Sequence, residues 1–249
     1  MEKIEKKKNR FGLVGKDISY SFSQGYFSEK FSKLNLSDYF YENFDLQTIS
    51  EFKNLMIQNE LMGLNVTIPY KELVIPFLDS LDFQAETIGA VNTIKFTENG
   101  LKGFNTDAYG FEEAIKPNLK SNHKKALILG TGGASKAISY VFDSLGIDYV
   151  HVSRNPSKNQ YGYLQLKKSI LKEYLVIVNC SPVGTHPNIN ERPNIPYEFI
   201  TSDHLLFDLI YNPKKTAFLR VGEMKGATVQ NGLAMLEFQA EKAWEIWNT

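Results

Sequence analysis

Short apolar runs alternate with longer segments through the second half of this chain of 249 residues, and that alternation constrains its fold most strongly. The runs are rich in Val, Ile and Leu and occupy residues 125–129, 148–153, 175–178 and 205–210. Continuous apolar strands of this kind are typical of a parallel sheet that helices cover on both faces. The second half is therefore predicted to be an α/β unit built on a parallel sheet.

The first half mixes apolar runs with helical spacing and also predicts an α/β unit. Strands are predicted at 11–15, 39–44 and 61–68, helices at about 22–36 and 45–59, and a hairpin from 90–96 and 100–105. The Asn99-Gly100 pair between the hairpin strands favours a tight turn. At the end of the chain, residues 233–247 place apolar side chains at helical spacing, which predicts an amphipathic helix.

Composition limits the possible functions. Lys plus Arg and Asp plus Glu each total 28, so the net charge is zero, which argues against a general nucleic-acid binder. The single cysteine, Cys180, excludes an internal disulfide framework and a Cys-cluster metal site, and with four histidines no metal is expected. No apolar run reaches the roughly 18 residues of a membrane span, and residues 1–10 are predicted to be a solvated basic leader. A cytoplasmic protein is expected.

A glycine-rich loop follows the apolar run 125–129. Residues 130–137 read GTGGASKA, and a helix is predicted from 136 to 145. Glycines in such a loop allow a tight turn and let backbone N–H groups approach a pyrophosphate at a helix N-terminus. The pattern favours a dinucleotide site, with a simple tight turn as the alternative.

The end of the next predicted strand indicates which dinucleotide would bind. Twenty residues after Gly133 the chain reads Ser153-Arg154, with Lys158 shortly after. NAD-binding folds usually place an acidic residue there for the ribose hydroxyl, whereas an arginine can pair with a 2′-phosphate. NADP is therefore predicted over NAD, and a solvated surface arginine is the alternative.

Polar residues in the first half gather at predicted strand ends. Asn65 and Thr67 are two apart on a predicted strand and so face one side, and Lys71 is predicted to begin a helix after Pro69. Further Asn-Thr pairs stand at 92–93 and 105–106, followed by Asp107. Together these residues could converge on a small polyol, although each pair could also be a turn or cap.

The hydroxyls near the start of the first predicted helix allow two interpretations. Ser23 could be a plain N-cap. Ser21 and Ser23 could equally offer hydroxyls to a carboxylate near the helix N-terminus.

Five ordered motifs give the chain a family resemblance past Arg10. They are GLNVTIPYK at 63–71, NTD at 105–107, GTGGASKA at 130–137, DLIYNP at 208–213 and GLAMLEFQ at 232–239. On these motifs the chain resembles shikimate dehydrogenase of the AroE type. It departs from the family pattern near the start, where Asp17, Tyr20 and Gln24 replace Pro, His and Pro.

The resemblance implies a role for each matching residue. Lys71 and Asp107 would form the catalytic pair. The substrate would be held by Ser21, Ser23, Asn65, Thr67, Asn92, Tyr211 and Gln239. NADP would be held by Gly130, Gly132, Gly133, Ala134, Ser153, Arg154 and Lys158.

The resemblance also implies the architecture and the reaction. The fold would be an N-terminal α/β substrate domain, 1–108 with 233–249, and a Rossmann-like NADP domain, 109–232, with a cleft between them and a C-terminal helix returning to the first domain. The reaction would be the reversible, NADP(H)-dependent reduction of 3-dehydroshikimate to shikimate in aromatic amino-acid biosynthesis, by a monomer or homodimer. Alternatives are a quinate or quinate/shikimate dehydrogenase using NAD, a non-catalytic NADP-binding sensor, and a folate-linked dehydrogenase.

Overall fold

A computed structural model of the chain describes residues 9–19, 21–58 and 60–249, and divides them into two units. Unit 1 contains the described residues up to Thr106 together with Ala240–Thr249, and unit 2 contains Asp107–Gln239. Most of the predicted basic leader, together with Tyr20 and Asn59, lies outside the described residues. The predicted domain limits at residues 108 and 232 stay a prediction.

Unit 1 is built on a mixed sheet of six strands. They are β1 (Asn9–Gly15), β2 (Tyr39–Asp45), β3 (Gly63–Val66), β4 (Ser80–Leu81), β5 (Thr93–Thr97) and β6 (Gly100–Phe104). The order across the sheet is β2-β1-β3-β5-β6-β4, and only β5 runs antiparallel to its neighbours. The helices of the unit are α1 (Phe22–Lys33), α2 (Phe52–Gln58) and α3 (Phe83–Ile88).

Two expectations for unit 1 are wrong in detail. Asn9 and Arg10 belong to β1 rather than to a solvated leader, because they pair with β2 and Arg10 forms a 2.6 Å ion pair with Glu42. The helix predicted over 45–59 begins only at Phe52, since Asp45 ends β2 and a short 3-10 turn, Ile49–Glu51, precedes α2.

The carboxyl-terminal helix α8 (Leu233–Asn248) completes an aromatic core in unit 1. Trp247 packs against Phe11 and Phe27, with ring centroids 4.8 and 5.4 Å apart, and its indole N–H donates to the carbonyl oxygen of Ile94 at 3.0 Å. A Cβ on Gly63 would collide with the indole ring, so the close approach of β3 requires glycine there. The end of the chain therefore stabilises the first unit.

Unit 2 is built on a sheet of six parallel strands. They are β7 (Lys125–Leu129), β8 (Asp148–Ser153), β9 (Tyr161–Gly162), β10 (Val176–Asn179), β11 (Leu205–Asp208) and β12 (Thr228–Gln230). The order β9-β8-β7-β10-β11-β12 is that of the doubly wound dinucleotide-binding fold, which confirms the predicted α/β class. The short strands β4, β9 and β12 had no counterpart in the sequence prediction.

Helices flank the sheet of unit 2, and its central strands are buried on both faces. The helices are α4 (Thr106–Ile115), α5 (Gly133–Leu145), α6 (Lys168–Glu173) and α7 (Ala217–Met224). Residues 126–129, 176–178 and 205–207 are fully buried, as the apolar runs predicted. Phe111 of α4 packs its ring against Phe142 of α5 and Phe207 of β11. No helix in the described part of the chain is long and apolar enough to cross a membrane.

Truncating Trp247 should destabilise unit 1. We expect Trp247→Ala to lower the free energy of unfolding by about 3–5 kcal/mol, because a buried ring and its hydrogen bond are lost. Trp247→Phe should cost less, since it keeps a ring in the core. Urea denaturation followed by the fluorescence of Trp244, the other tryptophan of the chain, measures both. Ile57→Ala, at a residue 83% exposed, is the matched control and should change the value by at most about 0.5 kcal/mol.

Candidate active site

A cluster of buried amide and hydroxyl side chains lies at one edge of the unit 1 sheet. Parallel strands end at the same edge, so β1, β3 and β6 end where the antiparallel strand β5 begins. The buried polar residues at this edge are Asn65, Asn92, Thr93, Asn105 and Thr106. The sequence predicted that the two Asn-Thr pairs converge, and the structure brings them together.

Asn92 connects this edge to the start of helix α4. The backbone N–H of Thr106 donates to Asn92 Oδ1 at 2.7 Å, and Asn92 Nδ2 donates to Thr106 Oγ at 3.0 Å. The next residue, Asp107, lies in the first turn of α4 and is buried. The amide of Asn92 therefore fixes the backbone from which Asp107 extends.

Tyr41 of β2 orients Asn65 within the cluster. The Tyr41 hydroxyl donates to Asn65 Oδ1 at 2.8 Å, and Asn65 Nδ2 donates to Thr93 Oγ at 3.1 Å. Burial raises the pKa of the Tyr41 hydroxyl far above its ordinary value, although a hydrogen bond with Ser23 acts in the opposite direction. The phenol therefore stays neutral and keeps its proton for Asn65.

Ser21 and Ser23 begin helix α1. Ser21, not Ser23, is the N-cap, because its Oγ accepts the backbone N–H of Ser23 at 3.2 Å. Ser23 is buried and interacts with Tyr41, so it belongs to the polar cluster. Ser21 is half-buried at the same helix end.

Lys71 does not begin a helix, contrary to the sequence prediction. It lies in a turn that precedes a short 3-10 segment, Ile75–Phe77, and Thr67 lies just past the end of β3 rather than on it. The carbonyl of Lys71 accepts the N–H of Val91 at 2.7 Å, which fixes the lysine backbone beside the residue preceding Asn92. Lys71 is half-buried, and its backbone is therefore fixed next to the polar cluster of unit 1.

The glycine-rich loop of unit 2 lies at the switch point of its parallel sheet. Strands β7 and β10 are neighbours from which the chain winds in opposite directions, and such a crevice is where these sheets bind ligands. Gly130 follows β7 with a φ of +123°, which favours glycine, and Cys180 follows β10 beside it. Helix α5 begins at Gly133 with Gly132 as its N-cap, three residues earlier than predicted.

The chemistry of this loop fits a pyrophosphate. The first N–H groups of a helix lack intrahelical acceptors, and they attract anions. A Cβ added to Gly132 would meet no atom within 4 Å, so a ligand can approach the backbone there. Beyond β8, Ser153 Oγ accepts the N–H of Asn155 at 3.2 Å, and Arg154 and Lys158 are exposed. These cations are available to a phosphate at the carboxyl end of β8.

Comparison with known proteins decides the family. Residues 13–94 match the family model described as shikimate dehydrogenase substrate binding domain. Shikimate dehydrogenase (NADP(+)) from Clostridium botulinum is 37% identical over 95% of each chain. The chain belongs to the shikimate dehydrogenase family, as the sequence predicted.

Solved structures of family members share the fold. Shikimate dehydrogenase 1 from Peptoclostridium difficile is 39% identical, with a TM-score of 0.83 over 96% of this chain and 91% of that chain. Shikimate 5-dehydrogenase from Thermus thermophilus in complex with NADP(H) and shikimate is 30% identical, with a TM-score of 0.85 over 96% and 93%. The two-unit α/β fold of this family member is therefore shared along nearly the whole chain.

A buried carboxyl that the sequence prediction left without a role lies in the family motif 208–213. Asp208 ends β11, fully buried, and accepts hydrogen bonds from Thr216 Oγ at 2.6 Å, Asn179 Nδ2 at 3.0 Å and the N–H of Ile210 at 3.1 Å. This network fixes the backbone that leads to Tyr211, which is half-buried. Burial outweighs the three donors and raises the pKa of Asp208 to about 6.

Gln239 is the last of the site residues that the sequence predicted. Asp208 and Tyr41 were missed, and they differ in how visible they are in the sequence. Gln239, in α8, is buried and donates from Nε2 to the carbonyl oxygen of Leu236 at 3.1 Å. Asp208 was detectable, since a carboxylate inside an apolar run needs partners. Tyr41 gave no such signal, because a tyrosine in an aromatic strand is ordinary core. Among the described residues, no group of three or more His, Cys, Asp or Glu could hold a metal ion.

In the purified protein, the carboxyl group of Asp208 should titrate near pH 6. Its folded pKa lies above the ordinary 3.8, so its contribution to stability is present at low pH and is lost as the pH rises through about 6. Carboxyl carbon NMR, assigned with Asp208→Asn, measures the midpoint. Asn179→Ala removes a hydrogen-bond donor to the charged Asp208 carboxylate, so it should raise the pKa of Asp208 further. A midpoint at the ordinary value would contradict the assigned environment.

Proposed function

We propose that this protein catalyses the reversible, NADP(H)-dependent reduction of 3-dehydroshikimate to shikimate. The observation that carries the proposal is the buried cluster of amide and hydroxyl side chains in unit 1. The backbone of Lys71 is held next to this cluster by the N–H of Val91. Such groups suit a small acid that bears several ring hydroxyls. Relatives named as NADP-dependent shikimate dehydrogenases along 95% of the chain support the same assignment.

The substrate would be held by the residues that the sequence assigned to it. Ser21 and Ser23 bind its carboxylate, and Asn65, Thr67 and Asn92 bind its ring hydroxyls. Their side chains are pre-oriented, since Tyr41 holds Asn65 and Thr106 holds Asn92. Tyr211 and Gln239 complete the proposed set. Pre-orientation reduces the side-chain entropy lost on binding.

Lys71 and Asp107 perform the proton chemistry in the proposed mechanism. A nicotinamide cofactor held by unit 2 would supply the hydride for the ring carbonyl carbon, and its oxidised form would take the hydride back in the reverse reaction. Lys71, as an ammonium, stabilises the negative charge that develops on the carbonyl oxygen and donates a proton to it. Asp107 is the partner that the family resemblance assigns to Lys71 in this proton transfer. In the reverse direction Lys71 takes the hydroxyl proton.

The cofactor would be bound by unit 2. Gly130, Gly132, Gly133 and Ala134 offer the loop and the helix N-terminus to the pyrophosphate. Ser153, Arg154 and Lys158 bind the adenosine 2′-phosphate, which two cations favour over a free ribose hydroxyl. The proposed compartment is the cytoplasm, in keeping with a single cysteine, and a monomer or homodimer stays a prediction.

A turnover assay separates this function from its alternatives. Shikimate with NADP⁺ should yield reduced nicotinamide, measured by its absorbance, with higher kcat/KM than shikimate with NAD⁺ or quinate with either cofactor. Arg154→Ala should raise the KM for NADP⁺ and leave that for NAD⁺ unchanged, whereas the exposed control Arg220→Ala should change neither. Preferred turnover of quinate with NAD⁺ would instead support the quinate dehydrogenase, and NADP⁺ binding without turnover of either acid would support the sensor.

Replacing Lys71 should remove most of the turnover and change shikimate binding only modestly. We expect Lys71→Ala to lower kcat at least about 100-fold, because general acid–base help is typically worth 10²–10⁴ in rate. The KM for shikimate should change modestly, since other side chains bind the acid. The matched control is Lys33→Ala, at a lysine whose side chain is 72% exposed in unit 1, and it should keep full activity. Undiminished turnover of Lys71→Ala in a steady-state assay would refute the proposed role.

A further inference from the structure

A hydrogen-bonded chain connects the glycine-rich loop of unit 2 to strand β8 and helix α5. His151 Nδ1 lies 2.9 Å from the carbonyl oxygen of Gly130, and its Nε2 lies 3.0 Å from Ser139 Oγ. Ser139 Oγ in turn donates to the carbonyl oxygen of Ser135 at 3.0 Å. Ser135 donates to the carbonyl oxygen of Gly132 from its N–H at 2.9 Å and from its Oγ at 2.7 Å. Two carbonyls of the loop are therefore held by side chains of its own unit.

Holding these carbonyls also sets the direction of the loop's donors. In a trans peptide the C=O of one residue and the N–H of the next point in opposite directions. Because His151 holds the Gly130 carbonyl, the N–H of Thr131 points away from His151. The Gly132 carbonyl, held by Ser135, orients the N–H of Gly133 in the same way. These N–H groups belong to the loop that the proposed function gives to the pyrophosphate.

The two ring nitrogens of His151 make separate contacts. The Gly130 carbonyl can only accept, so Nδ1 donates in that contact. Nε2 lies against Ser139 Oγ, which links the ring to helix α5.

We infer that His151 is a positioning residue for the cofactor: its two ring-nitrogen contacts hold the glycine-rich loop in the conformation that binds the NADP pyrophosphate. This inference rests on the proposed function.

Other ionisable groups lie near these hydrogen bonds, on strand β8 and on helix α5. On β8, the ring of Tyr149 stands perpendicular to that of His151 with centroids 5.8 Å apart, and its hydroxyl donates to Asp143 at 3.1 Å. On α5, Lys136 and Asp143 stand about one helical turn before and after Ser139.

Direct binding of NADP⁺ by isothermal titration calorimetry tests the inference. His151→Val removes both hydrogen bonds and should weaken binding roughly threefold to tenfold. His151→Asn keeps an amide donor at the position of Nδ1, so it should recover part of the affinity. Ser139→Ala keeps the Gly130 contact and should weaken binding less than His151→Val.

An exposed residue of the same unit provides the control. Lys172→Ala, in helix α6, leaves the hydrogen bonds of the loop intact and should bind NADP⁺ like the unmodified protein. The KM for shikimate should stay unchanged in every variant.

The outcomes distinguish this inference from the proposed function. If the unmodified protein binds NADP⁺ and oxidises shikimate while His151→Val has the same dissociation constant for NADP⁺, the inference alone is wrong. The same conclusion follows if His151→Asn binds no better than His151→Val. If the unmodified protein neither binds NADP⁺ nor oxidises shikimate, the proposed function fails and the inference fails with it.

Discussion

Buried polar groups must find hydrogen-bond partners, and this constraint organises the edge of the unit 1 sheet. Asn65 and Asn92 belong to neighbouring segments, and each amide donates to another polar side chain of the cluster. A shift of β5 against β3 by one residue would turn Thr93 away and leave buried amides unpaired. The same hydrogen bonds that fix the strand register thus orient the side chains that the proposed substrate would meet.

Unit 2 places its functional groups by topology. All its strands run in one direction, so every loop at the carboxyl edge is available for binding, and the reversal of winding between β7 and β10 opens a crevice there. Gly130 and Cys180 meet at that point. Around it, side chains of the same unit hold the loops: His151 holds the glycine-rich loop, and Asp208 holds the segment before Tyr211. Neither residue is proposed to contact substrate.

The apolar runs of the second half were predicted almost to the residue. Strand β7 begins and ends as expected, because a strand buried on both faces is necessarily a continuous apolar run. The helix over 45–59 was misplaced because its apolar spacing continued into a segment that tertiary contacts hold as a strand end and a 3-10 turn. Lys71 was also misassigned: Pro69 was expected to end the strand and Lys71 to begin a helix after it, whereas the structure has a turn there.

The sequence by itself determined the α/β class, the glycine-rich loop, the family and the residue types of both candidate sites, because these depend on local periodicity and on short motifs. Only the tertiary structure decided which polar groups support which others. Tyr41 of β2 reaches Asn65 of β3 across the intervening strand β1, and His151 reaches Gly130 from a neighbouring strand. Such contacts join residues that are distant along the chain, and their geometry follows from strand order and register, which no local pattern encodes.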